Sequence, residues 1–224
     1  PTNPLPEAFY NRLVEAFRSY MLVGGMPEAV ATYTETGSYR YSSDIVNEII
    51  QGYQDDFAKY GAKANPLLLR QTLISVAHQA GAKFVYSRVE GQYRSAEVKV
   101  ALEMLKDAGL IIPTYHTDAN GVPLGAEINE RVVKYLIHDT GVLLGILGID
   151  DDIDDSIKEM MVADSIDLVD KGHVAEMMAG LELVKYSSPQ KRHQLYYWQN
   201  MNKGTCAEVD YVIARSGSIV PIEV

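Results

Sequence analysis

The stretch Ser95-Ala-Glu-Val-Lys-Val-Ala-Leu-Glu-Met-Leu-Lys-Asp-Ala-Gly-Leu110-Ile-Ile-Pro-Thr-Tyr-His-Thr-Asp-Ala-Asn-Gly121 decides the fold. Its first half carries Val98, Ala101, Leu102 and Leu105 at helical spacing, and Gly109 stands where a helix ends in a left-handed residue. Leu110 to His116 reads as an extended run. Asn120-Gly121, between this run and the next, is the strongest short-range signal for a hairpin. Upstream, Asn65-Pro66 opens a helix with Leu68, Leu69, Leu73, Ile74 and Ala77 inward, ending near Gly81. A short segment from Phe84 to Val89 separates the two helices. Helix, short helix, helix, hairpin is the order of a winged helix, and Val132 to Leu147 closes this section, residues 63–147.

Outward from it, residues 1–62 read as a helical connector. Phe9, Leu13, Ala16, Phe17 and Tyr20 form a helical stripe over Glu7 to Met21, which Gly24-Gly25 and Pro27 break. Ser43-Asp44 is the expected cap of a second helix bearing Ile45, Ile49, Ile50, Tyr53 and Phe57. On the other side, residues 148–224 begin with an Asp run, 150–155, that lacks the alternation and the twelfth-position Glu of a calcium loop. It reads as a solvated linker with helix-capping Asp. Helices over 156–170 and 172–184 follow, then strands at 195–199, 207–214 and 219–224. The fold class expected is α+β: mostly helical, with a central winged helix and a C-terminal α/β unit cut off in its last strand.

The 224 residues hold 20 basic and 30 acidic side chains, a net charge of −10. That balance opposes wholesale coating of nucleic acid, which needs clustered Lys and Arg. Residues 1–60 carry 4 basic and 8 acidic groups, 61–145 carry 9 and 8, and 146–224 carry 7 and 14. Only the middle third can present a basic face to DNA. No apolar run is long enough for a membrane helix. The single Cys206 has no disulfide partner within the chain, and a reducing cytoplasm is the expected setting. The start at Pro1 and the β-branched finish at Val224 suggest a piece of a longer protein.

Phosphate-loop, nucleophile-elbow and zinc-helix motifs are absent, and the five His have no metal-ligand spacing. The C-terminal hairpin is the sharp feature. Alternation puts Glu208 and Asp210 on one face of a strand and Val209, Tyr211 and Ile213 on the other. A symmetric turn at Arg215–Ser218 sets 214 opposite 219, 212 opposite 221 and Asp210 opposite Glu223. Like charges so placed destabilise a sheet unless a proton or cation lies between them. Two such carboxylates with waters suit Mg²⁺, so Asp210 and Glu223 are the candidate metal ligands, the alternative being an exposed acidic rim. Glu176 is a third candidate carboxylate: Gly172, Ala179 and Gly180, at i−4, i+3 and i+4, let its helix lie close to a sheet. A solvent-facing Glu is the plainer reading. For nucleic acid the candidates are Arg88, Arg94, Lys99 and Lys106; Lys99, Glu103 and Lys106 look more like a salt-bridged face than a phosphate track.

Four motifs in order resemble one family: Gly24-Gly-Met-Pro-Glu-Ala29, Ile112 to Gly125, Lys134-Tyr-Leu-Ile-His-Asp-Thr-Gly141, and Tyr197-Trp198 followed by Glu208-Val-Asp210 and Pro221-Ile-Glu-Val224. This is domain of unknown function 4143, which follows an AAA-type ATPase domain in bacterial and archaeal ATP-binding proteins. The resemblance implies a winged-helix middle and a restriction-endonuclease-like end. It places the family's acidic residues on Glu176, Asp210 and Glu223, and its Lys on the residue after Val224, opposite Glu208, which joins them as a candidate catalytic residue. It further implies DNA and an upstream ATPase domain of the same chain as partners, with ATP used in the intact protein and not in this segment. Without that Lys and the ATP-binding loop, the segment is expected to be catalytically inactive. The alternative is a winged-helix module that binds DNA or protein without catalysis.

Overall fold

A computed structural model describes residues 5–59, 65–148, 171–186, 194–200 and 207–224. The Asp run at 150–155, the expected helix over 156–170, His193 and Cys206 lie outside these residues. The fold is α+β. Two compact units emerge, each discontinuous in sequence: Pro1–Asp56 with Asp139–Lys171, and Phe57–His138 with Gly172–Val224.

In the first unit, α1 (Glu7–Val23) ends at Gly24, whose φ of +78° suits a residue without a side chain. Pro27 does more than break that helix. It sits in the first turn of α2 (Pro27–Thr36), where its missing N–H has no helical partner to lose. The next helix, α3 (Tyr39–Lys59), starts before the expected Ser43 cap, directly after the left-handed Gly37 that ends α2. Asp139 caps α6 (Thr140–Ile146) by accepting from the Val142 amide at 3.0 Å, and its other oxygen accepts from the Gly25 amide at 2.6 Å. A Cβ on Gly24 would collide with the Asp139 carboxylate. Two motifs more than a hundred residues apart therefore meet at one side chain.

The second unit holds the order read from the sequence. Helix α4 (Pro66–His78) is capped by Asn65, whose Oδ1 accepts from the Leu67 amide at 3.0 Å. A 3-10 turn (Tyr86–Arg88) and α5 (Ser95–Asp107) follow, with Val98, Ala101, Leu102 and Leu105 buried. Strands β1 (Ile111–Thr117) and β2 (Ile128–Ile137) pair antiparallel, with a register shift between Tyr115 and His116. The hairpin exists, but Asn120-Gly121 is not its two-residue turn. A longer wing joins the strands and includes a 3-10 turn at Leu124–Glu127; Asn120 donates through its amide to Glu127 Oε2 at 3.0 Å. Pro123 stands at the start of that 3-10 turn.

Helix α7 (Lys171–Tyr186) is followed by β3 (Leu195–Gln199), which joins β1 in parallel. Winged-helix hairpin and C-terminal strands thus share one sheet, of order β2-β1-β3-β4. The strand expected over 207–214 splits. β4 (Glu208–Val209) pairs with β3, while β5 (Tyr211–Arg215) pairs with β6 (Ser218–Ile222) in a separate hairpin. The chain turns at Asp210 because Tyr211 drives inward, its hydroxyl donating to the Glu176 carbonyl at 2.7 Å. The helix is close enough for this because of Gly180: a Cβ there would lie 2.6 Å from Leu136 Cδ1 and also strike the Tyr211 hydroxyl.

Candidate functional site

The β5–β6 register sets Ala214 opposite Ile219 and Val212 opposite Pro221 around a two-residue loop, Ser216-Gly217. Both loop residues have positive φ (51° and 77°), the geometry whose twist matches a hairpin. The ladder ends at Tyr211 opposite Ile222. Asp210 and Glu223 lie just beyond it. The Asp210 Oδ2 accepts from the Val224 amide at 3.0 Å, and Glu223 is exposed to water.

The buried charge sits elsewhere, and its centre is Lys134. This residue lies in a strand whose residues 132–137 are all buried, and it is itself only 3% exposed. Lysine is almost never so buried without a counter-charge. Two are supplied by the C-terminal segment: Glu176 Oε1 on α7, 2.9 Å from Nζ, and Glu208 on β4, in direct contact with it. Nζ also lies over the Tyr197 ring, 5.1 Å from its centroid, a cation–π position. Glu208 is held from its other side by Gln199 Nε2, which donates to Oε2 at 3.2 Å. Glu176 is therefore inward, not solvent-facing. Its Oε2 would lie 3.0 Å from a Cβ on Gly81, so the α4 turn closes over it.

Electrostatics follow the count of charges. Burial alone would lower the Lys134 pKa; the hydrogen bonds and charges of Glu208 and Glu176 outweigh it and hold the ammonium above the usual lysine value. Glu176 is raised as well. Burial is the main cause, Lys134 pulls in the opposite direction, and Asp210 and Glu208 add to the rise. One cation shared between two carboxylates, with a third nearby, favours the charged lysine more fully than the charged Glu176.

Polar atoms on the same sheet face remain unpaired. Thr114 lies opposite Lys134, and His116 opposite Tyr197, in the ladders. Thr114 Oγ1, His116 Nδ1 and Tyr197 Oη are buried without a hydrogen-bond partner, while His116 Nε2 meets the Gln199 carbonyl at 3.1 Å.

The implied Mg²⁺ does not fit this arrangement. Glu176 and Glu208 are engaged by an ammonium group, Asp210 by a backbone amide, and Glu223 is exposed to water. Among the described residues no group of three or more His, Cys, Asp or Glu side chains is arranged to hold a metal. Lys134, Tyr197 and His116 were missed by the sequence reading. The signal for the first was present, a lone Lys inside Val-Val-Lys-Tyr-Leu-Ile137; Tyr197 stood in a quoted motif and His116 among the five His, with nothing local to bring them together.

The nucleic-acid candidates lie around α5. Arg88, Arg94 and Lys99 are exposed, and Glu97 caps the helix by accepting from the Arg94 amide at 2.8 Å. Lys106 is paired with Glu103, as its i, i+3 spacing suggested. Among the described residues no helix is long and apolar enough to cross a membrane.

Two family models match the chain. Residues 14–153 match the family described as a domain of unknown function, DUF8612, and residues 171–224 match the domain of unknown function DUF4143. Neither a curated protein nor a solved structure matches. Lys134 lies in the first matched region, and Glu176 and Glu208 in the second.

Proposed function

We propose, for a chain that belongs to the DUF8612 family and carries a DUF4143 segment, a nucleic-acid-associated module whose acidic centre does not cleave. Its ATP-using part is an ATPase domain of the same protein, as the resemblance to DUF4143 implies. The observation that carries this reading is the contact of Lys134 Nζ with both Glu176 and Glu208. An ammonium group held by two carboxylates engages the oxygens that a catalytic metal ion would need for ligands. Support for the nucleic-acid part is the winged-helix order and the three exposed cations at the entrance to α5 and on it. Their number limits the affinity: about three phosphate contacts give a salt slope of roughly −3 in log K against log salt.

Fluorescence anisotropy with a short duplex, over a salt series, tests the binding. The expected result is weak, sequence-independent binding that fades at physiological salt and drops in Arg88→Glu/Arg94→Glu. No binding even at low salt, or sub-micromolar binding at physiological salt, overturns it. Incubation with plasmid and Mg²⁺ or Mn²⁺ tests the rest: cutting that disappears in Asp210→Ala contradicts a non-cleaving centre.

A second reading, a protein-interaction scaffold, is favoured by α1. Phe9, Leu13 and Phe17 recur every four residues along it and are exposed, Phe9 by 62%. Contiguous apolar surface of this kind marks interaction sites. A module that binds no duplex but self-associates, and becomes monomeric in Phe9→Glu, fits the scaffold.

A further inference from the structure

We infer that Lys134 is a built-in plug of the acidic centre, so that Lys134 and a divalent cation exclude one another there. The inference deepens the reading of Glu176, Glu208 and Asp210 as a nuclease-like centre and rests on it. Three features of the geometry carry it. The ammonium makes its contacts in three directions, to Glu176 at 2.9 Å, to Glu208, and to the Tyr197 ring. Mg²⁺ or Mn²⁺ in the same space would need oxygen ligands at about 2.1 Å, inside the reach of a fixed positive charge. The plug is also anchored. Lys134 pairs with Thr114 on β1 and with Lys83 on its other side, so its backbone is held from both edges and the side chain has little freedom to retract.

The third feature is what the plug leaves over. Tyr197 is fully buried, its Oη has no hydrogen-bond partner, and its ring faces the ammonium. With the Lys134 charge removed, the Glu176 and Glu208 carboxylates lose the cation they share, and their uncompensated negative charge attracts another. The chain's own lysine, supplied by the first family region to acids of the second, thus sets whether the centre can take metal.

Mn²⁺ binding followed by electron paramagnetic resonance tests this on the wild type, Lys134→Met, Lys134→Arg and Lys134→Met/Glu208→Gln, each checked by circular dichroism. The wild type and Lys134→Arg are expected to bind no stoichiometric Mn²⁺ at millimolar metal. Lys134→Met should bind one Mn²⁺ at least about tenfold more tightly than wild type, a difference of about 1.4 kcal/mol, and the double variant should lose it. A folded Lys134→Met that gains no Mn²⁺ overturns the inference. So does stoichiometric Mn²⁺ in the wild type that is lost in Glu208→Gln, a result that stands even if Lys134→Met does not fold. Failure of duplex binding leaves these outcomes untouched, so the plug and the nucleic-acid reading fall separately.

Discussion

At the scale of single residues, charge count explains behaviour that position in the sequence does not. Lys134 faces two glutamates, and the surplus negative charge falls on the more buried one, Glu176. A carboxyl whose folded pKa is raised holds its proton more tightly folded than unfolded. Its contribution to stability is complete below the ordinary glutamate value and is lost as pH rises through the folded one. Lys134, raised as well, stays charged throughout that window and adds no slope. Melts at about pH 5 and about pH 7.5 should therefore show the wild type more stable at the lower pH, and Glu176→Gln should flatten the difference. A slope unchanged in Glu176→Gln places its source elsewhere. The sequence carried one half of this cluster. The small residues around Glu176 allowed it to face a sheet, although a solvent-facing Glu was the plainer reading, and strand alternation put Glu208 and Asp210 on one face. Their cation was not, because a lysine in an apolar run announces burial without saying which distant acid will meet it.

At the scale of elements, the close approaches are set by glycines and caps. Gly180 lets α7 lie against Tyr211 and Leu136. Gly180→Ala forces Leu136 and the Tyr211 hydroxyl to move and should cost about 1–3 kcal/mol in urea unfolding, as overpacking does. A change within experimental error would show that the interface yields freely. Asp139 serves two elements, capping α6 and receiving the Gly25 amide. Asp139→Ala should cost about 1–2 kcal/mol, with Asp139→Asn recovering part of it through its remaining acceptor. Equal loss in both would mean that the charge, not the acceptor oxygen, matters there. Helix periodicity and the Gly and Asn caps made α1, α4, α5 and α7 readable. Two turns were harder. Asn120-Gly121 has the chemistry of a tight turn, yet the Leu124–Glu127 turn lengthens the wing. Position 210 alternates correctly in sequence, yet the inward Tyr211 breaks the strand there, a tertiary demand that local pattern cannot express.

At the scale of the molecule, the two family regions are joined within one compact unit. β3 extends the sheet of the winged-helix hairpin, and Lys134 ties α7 and β4 to β2. The linear order of the sequence suggested successive sections; parallel pairing between residues some eighty positions apart was not legible, since strand pairing across a crossover leaves no local mark. The ion cluster should be a principal tie of the C-terminal segment. A buried pair broken on one side costs about 3–5 kcal/mol because the remaining charge is stranded. The most direct test is a double-mutant cycle by urea unfolding on wild type, Lys134→Ala, Glu176→Ala and the double variant. Lys134→Ala should lose about 3–5 kcal/mol, with a coupling energy to Glu176 of about 1.5 kcal/mol or more. Losses that simply add, with coupling below about 0.5 kcal/mol, would contradict a cluster centred on Lys134.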